Sequence, residues 1–497
     1  MGTGGGAGAP TVVIVGAGAA GVFTAYEIQK SYPGQFDIRL FEAGPTIGGN
    51  VSSVDVEYGG QTYVIDAGAQ FFYGKAQPNY LNLIGELGLD DQIPLFPAGI
   101  TIWDAATDRR LLWVPSTVGG LSRYTVADWR RLIEFGEFLV AAALLNASSD
   151  PDWSLSVSDW LADVPLDDSF QQDVILNFLY QFVSLPYPRI GEASAVYATT
   201  YFVRSVFGTP STGSAATADP ASIPLFQTNQ SMIGLLGILE QALAQSGVVA
   251  QTSSPVTAVA PGEDGVTVTV DGTTITAQHV VLACDPAASG ALLAAGGTAP
   301  SDLVVLLQEL GEQYLDLSIV LQQNGACWMP SDESYWEGVT TLADTANQAV
   351  TFSAWFGPLR PPYDGDLLIP VFKSWGSPDL DMSSCADTFY SHVHDVPLPT
   401  TDFIALRDQL GAFQGRDGLL FAGGWTDWFD SQEAALLSAM NVVSLLQPAG
   451  AEGAARAPAA YDAAAVTGQV RSWLDLVRAH APAEFQADLA GLSERLA

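Results

Sequence analysis

The chain has 497 residues, of which 48% are hydrophobic, so it is long enough for two domains and apolar enough to bury a large core. Its formal net charge of −36 arises from 54 acidic residues against only 18 Lys and Arg. A field of that sign repels nucleic-acid phosphates and anionic lipid, so we expect no nucleic-acid partner, and solubility or adaptation to salt explains the charge.

The lack of recognisable targeting signals and the pattern of cysteines are typical of an intracellular protein. The first ten residues, MGTGGGAGAP, lack the basic and apolar blocks of a signal peptide. The longest uncharged apolar run, which begins at Phe138, is too short for a transmembrane segment. We therefore expect a soluble, cytoplasmic protein. Cys284, Cys327 and Cys385 are odd in number and widely spaced, which predicts buried free thiols rather than a disulfide framework or a metal site.

The first predicted element is a buried strand that runs into a glycine turn, TVVIVGAGAAG. Gly16, Gly18 and Gly21 follow the G-x-G-x-x-G spacing, which permits a tight turn, room for a pyrophosphate and close packing of the next helix. The N-terminus of that helix would bind the phosphates. A second strand, FDIRLFE, ends at Glu42, whose carboxylate can accept hydrogen bonds from a ribose diol and disfavours the 2′-phosphate of NADP.

The next segments identify the nucleotide. EAGPTIGGNVSSV contains the paired Gly48 and Gly49, and YVIDAGAQFFYG follows it. In these features the chain resembles the flavin amine oxidase and phytoene desaturase superfamily. The resemblance implies FAD as cofactor, with the double glycine after the ribose-binding acid and the D-x-G-A stretch near the flavin. Members of that superfamily usually carry Arg after the double glycine, where this chain has Asn50.

The central part of the chain predicts helices, then strands. LNLIGELGL and DWRRLIEFGEFLVAAALL are amphipathic, and the aromatic residues that follow, through Phe207, are interpreted mainly as a helical core, with a wide apolar pocket left open as a use for some of them. Residues 211–222 are predicted as a loop or lid-like connection. A helix, MIGLLGILEQALAQSG, then leads to two alternating strands and a buried strand that ends at Cys284. The resemblance places the Val256 backbone near the adenine and makes the strands of residues 301–409 a sheet over the substrate.

The last distinctive feature is LLFAGGWTDWFDSQEAALLSAMNVV, a strand, a glycine turn and a helix that begins at about Asp430. The resemblance implies that this helix N-terminus stabilises negative charge on the reduced flavin. From Tyr390 the layout is similar to a branch of bacterial FAD-dependent oxidoreductases and to a flavin-dependent polyunsaturated fatty acid isomerase. After Gln447 a linker leads to a helical tail without an assigned role.

The predicted fold class is α/β, with a Rossmann-like FAD-binding domain and an inserted α+β substrate domain. The predicted parts are 10–75, 225–300 and 410–447 for the FAD-binding domain, 76–224 and 301–409 for the substrate domain, and 448–497 for the linker and tail.

The predicted cofactor-binding residues combine the fingerprint, the double glycine, the D-x-G-A stretch and the closing turn. They are Gly16, Gly18, Ala19, Ala20, Gly21, Glu42, Ala43, Gly48, Gly49, Asn50, Gly68, Ala69, Val256, Gly423, Gly424 and Trp425. Catalytic residues stay unassigned, and Gln70, Phe71 and Trp425 are candidates for facing the flavin.

The histidines give no metal site. His392 and His394 form an H-x-H pair without an evident third ligand, so we interpret them as loop histidines and predict no metal. His279 lies in a predicted strand and His480 in the tail, where neither has an evident chemical role.

Two departures from the amine oxidases shape the functional hypothesis. Those enzymes carry a Lys on an early strand of the substrate sheet, but YLDLSIVLQ contains none, and Trp425 stands where many members have Glu. Both favour removal of hydride from an unactivated or allylic carbon of a hydrophobic small molecule, with oxygen or another electron acceptor reoxidising the flavin. The alternatives are a redox-neutral double-bond isomerase of a fatty acid or polyene, an amine or amino-acid oxidase, and a flavin-binding scaffold without turnover.

Overall fold

The structure is a computed structural model that describes most of the chain. The described residues are 9–69, 77–89, 95–148, 150–205, 223–226, 232–323, 325–359, 370–377, 380–427, 430–446, 457–458 and 463–497. The predicted flavin-facing Gln70 and Phe71, the predicted loop 211–222 and Trp428 lie outside them.

The described strands are β1 Thr11–Val15, β2 Asp37–Phe41, β3 Ser53–Tyr58, β4 Gln61–Asp66, β5 Leu95–Ala98, β6 Ile100–Asp104, β7 Arg109–Val114, β8 Ile223–Phe226, β9 Ala250–Gln251, β10 Val256–Gly262, β11 Gly265–Val270, β12 Thr273–Ala277, β13 His279–Leu282, β14 Tyr314–Gln322, β15 Val339–Asp344, β16 Ala349–Trp355, β17 Phe372–Gly376, β18 Thr388–Pro397 and β19 Leu419–Phe421. The described helices are α1 Ala19–Ser31, α2 Pro78–Glu86, α3 Val126–Asn146, α4 Val157–Ala162, α5 Asp168–Phe170, α6 Leu176–Val183, α7 Ala195–Ser205, α8 Met232–Gln245, α9 Pro286–Gly296, α10 Ser301–Glu312, α11 Phe356–Leu359, α12 Thr401–Gln409, α13 Gln432–Leu445, α14 Ala463–His480 and α15 Gln486–Glu494.

The chain forms two compact units, each assembled from three segments. The first unit comprises residues 1–53, 230–314 and 405–459, and the second comprises 54–229, 315–404 and 460–497. This division differs from the predicted parts in that residues 54–75 and the helical tail group with the second unit, while residues 301–314, predicted as part of the substrate sheet, group with the first. The difference has a packing cause, because the β3–β4 hairpin packs on β14 and the tail packs on α3.

The first unit contains a parallel sheet whose strand order, within the described residues, is β19-β13-β1-β2-β9. Strand β1 pairs in parallel with β2 on one side and β13 on the other. Its Val12, Val13 and Ile14 are fully buried, as the apolar run predicted. Helix α1 packs against α13 and α8. This arrangement confirms the predicted Rossmann-like fold.

A small antiparallel sheet, β10-β11-β12, accompanies the parallel one. The sequence predicted two alternating strands before the buried strand β13, whereas the structure has three. The second run is split by a tight turn at Asp271 and Gly272, whose φ angles of 49° and 73° both lie in the left-handed region. A two-residue turn of this kind joins antiparallel strands directly.

The second unit is built on a mixed sheet with the described order β18-β14-β17-β16-β15-β6-β7. Most neighbours are antiparallel, while β6 and β15 are parallel. The β3–β4 hairpin buries Val56 and Ile65 in a cluster with Leu321 of β14 and Val371 before β17. Helix α6 packs against β15 and β16.

Helices α3, α6 and α7 share a core of aromatic rings, as the sequence predicted. The Phe138, Phe178 and Phe202 rings contact one another, with centroids 5.1–5.9 Å apart. Helix α3 begins with a capping box, in which the Thr125 hydroxyl accepts from the Asp128 backbone N–H and Asp128 binds the Thr125 backbone.

The helical tail packs against these helices. Helices α14 and α15 pack on α3, where a Cβ at Gly136 would lie 3.1 Å from Leu492 and 3.2 Å from Leu474. The Trp129 and Phe485 rings stack with centroids 6.2 Å apart. The tail therefore buries apolar surface of α3 that a shorter chain would expose.

The prediction of three free thiols is wrong. Cys327 and Cys385 form a disulfide with a Cα–Cα distance of 6.0 Å, and Cys284 is free. The two cysteines meet because β14 and β18 are sheet neighbours, with Cys327 just after β14 and Cys385 just before β18. The separation of 58 residues in sequence does not indicate that these two strands are neighbours in the sheet.

Two further sequence expectations concern histidines and the membrane. His392 and His394 lie within strand β18, so their interpretation as loop histidines is wrong. Among the described residues, no helix is both long and apolar enough to cross a membrane.

Candidate cofactor site

The glycine turn after β1 is shaped by close backbone contacts. Gly16 has φ +99°, and a Cβ there would lie 2.9 Å from the Ala283 carbonyl oxygen. A Cβ at Gly21 would lie well inside 3.0 Å from the Gly16 carbonyl oxygen, a separation that real Cβ atoms do not show. Gly18 is different, because its Cβ would meet only ordinary contacts, the nearest 3.7 Å away. The fold itself therefore requires glycine at positions 16 and 21 but not at 18.

The paired glycines lie against this turn. Gly48 and Gly18 form a parallel bridge, and the Gly48 N–H donates to the Ala17 carbonyl at 3.0 Å. Gly48 and Gly49 have φ angles of +135° and +58°, which L side chains rarely adopt. The structure thus brings together the fingerprint and the double glycine, which lie about thirty residues apart in sequence.

Glu42 ties these segments together. One carboxylate oxygen accepts from the Ala17 N–H and the other from the Gly44 N–H, both at 2.7 Å. A carboxylate has about four lone-pair sites, so each oxygen retains one for a further donor such as a ribose hydroxyl. Ala43 beside it is exposed, and so are Gly49 and Asn50.

The segment before β10 reaches the same edge of the sheet. The Ser254 N–H donates to the Glu42 carbonyl at 2.8 Å, and the Ser253 N–H donates to the Gly44 carbonyl at 2.7 Å. Val256 begins β10 two residues later and is half-buried. The predicted adenine contact therefore lies next to the predicted ribose contact.

The closing turn follows β19 at the carboxyl edge of the parallel sheet. Gly423 has φ +153°, and its N–H donates to the Ser438 hydroxyl at 2.9 Å. Helix α13 then begins behind Ser431, whose hydroxyl accepts from the Ala434 N–H at 3.2 Å. Because β1, β13 and β19 are parallel, the N-termini of α1 and α13 lie at one edge of the sheet, where such folds bind nucleotides.

Trp425 is buried beside this turn, with 5% of its surface exposed. Its indole N–H donates to the Cys284 carbonyl at 3.2 Å, and the ring covers Gly423 so closely that a Cβ there would lie 2.6 Å from it. Burial raises the pKa of the neighbouring Asp430 to about 6 and that of the Cys284 thiol to about 11. The thiol is therefore protonated at neutral pH and has little nucleophilic character.

The remaining predicted cofactor residues belong to different surroundings. Ala19 and Ala20 open α1, at the fingerprint. Gly68 and Ala69 belong to the second unit, directly after β4, where Gly68 is buried and Ala69 half-buried. The predicted nucleotide-binding residues of the first unit thus lie around one edge of its sheet. Gly68 and Ala69 belong to the second unit.

Lys373 is a buried cation to which the sequence analysis assigned no role. It is 3% exposed and its ammonium group donates to the Gly68 carbonyl. Burial lowers its pKa to about 7, against the opposing influence of Asp66. In the sequence, Lys373 is a single cation at the centre of an apolar strand, VFKSW. This pattern could have marked it as a candidate functional residue, because charged residues are rarely buried without a function or a partner.

These residues fit the ADP half of FAD on structural grounds. The turn at Gly16 and Gly21 has no room for side chains, whereas a Cβ at Gly18 would meet only ordinary contacts. The Glu42 carboxylate accepts a hydrogen bond from Ala17 of the same turn. Among the described residues, no group of three or more His, Cys, Asp or Glu could hold a metal ion.

Comparison with known proteins identifies the family. The family profile described as flavin containing amine oxidoreductase matches residues 19–369. No curated protein matches the chain. A solved structure that is similar is the CLA-producing fatty acid isomerase from P. acnes, with TM-score 0.61 and 13% identity over 89% of this chain and 100% of that one.

Two oxidases have the same fold. Cyclohexylamine oxidase from Brevibacterium oxydans IH-35A has TM-score 0.56 and 16% identity over 87% of this chain and 98% of that one. Putrescine oxidase bound to putrescine has TM-score 0.57 and 15% identity over the same shares, 87% and 98%. At these identities the likeness shows the fold alone.

The family match, over residues 19–369, spans more than half of the chain. The chain belongs to the flavin containing amine oxidoreductase family and is an FAD-dependent oxidoreductase.

Proposed function

We propose that this enzyme removes hydride from a carbon atom of a hydrophobic small molecule, in a carbon–carbon desaturation or a related oxidation. The observation that carries the proposal is the composition of β14. Its Leu317, Ile319, Val320 and Leu321 are buried, while Asp316 and Ser318 are exposed. The amine oxidases that the chain resembles carry a lysine on this strand, so the aliphatic buried side of β14 favours a substrate without an amine at the reacting carbon.

The nucleotide-binding residues follow from the first unit. Gly16 to Gly21 and the N-terminus of α1 would hold the pyrophosphate, Glu42 would hold the ribose, and Val256 would contact the adenine. Gly423 and Gly424 lead into α13, whose N-terminus favours negative charge at the closing turn. FAD, when bound, supplies a two-electron acceptor, and the residues described above bind and orient it.

The proposed desaturation removes two hydrogen atoms from adjacent carbons of the substrate. One substrate carbon loses a hydride, the neighbouring carbon loses a proton, and a double bond forms between them. The electrons pass to oxygen or another acceptor. Trp425 places a buried indole at the closing turn, where many family members have a glutamate. Gln70 and Phe71 remain predicted neighbours of the flavin.

A second candidate is redox-neutral isomerisation of a double bond in a fatty acid or polyene. It is supported by the structural similarity to a protein named as a fatty acid isomerase. The two reactions begin with the same removal of hydride, and they differ in whether the hydride returns to another carbon of the same molecule.

Anaerobic mixing of the FAD-loaded enzyme with linoleate, the corresponding C18 alcohol and the C18 amine distinguishes these functions. The proposal predicts bleaching of the flavin absorbance and a product that has lost two hydrogen atoms. A rearranged product without bleaching would establish the isomerase. Bleaching by the amine alone, with peroxide release on admitting air, would overturn the proposal in favour of amine oxidation.

The proposed location is the cytoplasm. The disulfide between Cys327 and Cys385 weighs against it, because reducing compartments keep protein thiols reduced. Alkylation of free thiols before cell lysis, followed by mass mapping of both cysteines, decides the matter. Alkylated Cys327 and Cys385 support the cytoplasm, and an intact bond refutes it.

A further inference from the structure

The second unit gathers nitrogen-bearing side chains on one side of its sheet. Lys373 of β17 lies directly opposite Leu321 of β14, and β18 is the next strand beyond β14. The ammonium group also lies 5.5 Å from the centroid of the Trp375 ring. Within the described part of the chain, the Gly68 carbonyl is its one hydrogen-bond acceptor, although a charged ammonium group has three N–H donors.

Two imidazoles of β18 face this lysine. His392 and His394 alternate with exposed residues, so they share a face, and their ring centroids are 6.2 Å apart. Burial lowers the pKa of both rings, and the positive charge of Lys373 lowers it further, to about 3 for His394. Among the described residues, His392 Nε2 and His394 Nδ1 are buried without a hydrogen-bond partner. The Trp375 indole nitrogen is likewise buried without a hydrogen-bond partner among these residues.

Among the described residues, Asp66 of β4 acts on the lysine and Tyr80 of α2 is influenced by Asp66; both are fully buried. Asp66 raises the pKa of Lys373 and, together with burial, that of Tyr80. Lys373 and Asp66 therefore compensate one another in part. At both imidazoles burial is the main cause of the lowered pKa, and the positive charge of Lys373 adds to it. A cation would be repelled there and an anion attracted.

We propose that Lys373, Trp375, His392 and His394 form a nitrogen cluster that binds the carboxylate of the substrate. The inference rests on the proposed function and narrows its hydrophobic small molecule to an apolar carboxylic acid. Each of the four side chains can donate an N–H bond, and carboxylate oxygens accept several such bonds at once. Because the pKa of both imidazoles is lowered, the Lys373 ammonium group is the main positive charge of the cluster, which matches a monoanion better than a phosphate dianion.

Binding of a carboxylate changes the protonation of the cluster. The incoming negative charge favours the ammonium form of Lys373 and the imidazolium form of a histidine, because an opposite charge stabilises the charged form of a base. We therefore expect uptake of about one proton for each carboxylate bound near pH 7.

The test measures binding rather than turnover. FAD-loaded enzyme is titrated calorimetrically with octanoate, octanamide and octylamine in buffers of different ionisation enthalpy, because these saturated probes differ only in the head group. We expect octanoate to bind at least about tenfold more tightly than octanamide, with uptake of about one proton. In Lys373→Met the two affinities should agree within about twofold. The matched control is Lys30→Met, at a partly exposed lysine of the first unit, which should retain the preference.

Several outcomes would overturn the inference. Equal affinities for octanoate and octanamide in the unaltered enzyme would refute carboxylate binding, and a preference for octylamine would show that the cluster binds an amine. A retained preference in Lys373→Met would remove the lysine from the site. If Lys373→Met does not fold, His394→Asn serves, because it removes the titratable ring and should reduce the proton uptake. Since no flavin bleaching is needed, failure of the proposed oxidation leaves this result readable.

Discussion

The glycine fingerprint permits a test that separates the needs of the fold from those of the cofactor. In Gly21→Ala the new methyl group would overlap the Gly16 carbonyl oxygen, which belongs to the backbone and can move only with the turn. In Gly18→Ala the nearest protein atom is 3.7 Å away, and the backbone at Gly18 has φ −68°, which alanine adopts freely. The two substitutions add the same methyl group, so they differ only in what surrounds it.

The expected magnitudes follow from these distances. Overpacking against fixed atoms costs about 1–3 kcal/mol, so Gly21→Ala should lower the free energy of unfolding by at least this much with or without FAD. Gly18→Ala should leave the stability of the FAD-free protein within about 0.5 kcal/mol. Its methyl group would instead occupy the space of the pyrophosphate. At a free FAD concentration of 100 times Kd the cofactor adds about 2.7 kcal/mol, and a tenfold weaker Kd reduces this to about 1.4 kcal/mol.

The assay is urea unfolding of each variant with and without a fixed FAD concentration, followed by tryptophan fluorescence. Gly237→Ala is the control, because a methyl group on that helical glycine would have no neighbouring atom within 4 Å, so the variant should be neutral or slightly stabilised. If Gly18→Ala bound FAD as tightly as the unaltered chain, the pyrophosphate would not pass over Gly18. That result would refute the assignment of the fingerprint.

Three further predictions concern other parts of the molecule. Glu42→Gln replaces one carboxylate oxygen with a donor that faces a backbone N–H, so we expect a loss of about 1–3 kcal/mol in the free energy of unfolding, measured in urea; an unchanged midpoint would contradict these hydrogen bonds. Replacing Cys327 and Cys385 by Ser should cost about 2–4 kcal/mol, and a reductant should bring the unaltered chain to the same midpoint. Equal stability of the variant and the oxidised chain would disprove the bond. The pKa of Lys373 is lowered from 10.5 to about 7 on folding, so between these values the unfolded chain binds more protons and stability rises with pH. In Lys373→Met this part of the slope should disappear, and a pH series of unfolding curves for both proteins checks it.

The sequence was most informative where local rules apply. The strand, glycine turn, helix and terminal acid from Thr11 to Glu42 each have a local physical cause, so their positions could be predicted one after another. The closing strand and helix were predictable for the same reason, although α13 begins at Gln432, two residues later than expected.

What escaped prediction depends on strand order. The Cys327–Cys385 bond and the approach of His394 to Lys373 both require that β18 lies beside β14 and that β14 lies beside β17. Nothing local to these residues encodes that order. The interpretation of His392 and His394 as loop residues failed because SHVHDVP has polar residues on both faces, which is typical of a strand at the edge of a sheet.

The order of strands in the first unit also has a consequence for the synthesis of the protein. Strand β1 lies between β2 and β13, and β13 in turn pairs with β19, more than 400 residues after β1. A ribosome that has produced the fingerprint must still deliver most of the chain before the sheet can close. The emerging chain would expose the apolar edge of β1 for much of translation, so we expect its folding yield to depend on chaperones and on elongation rate.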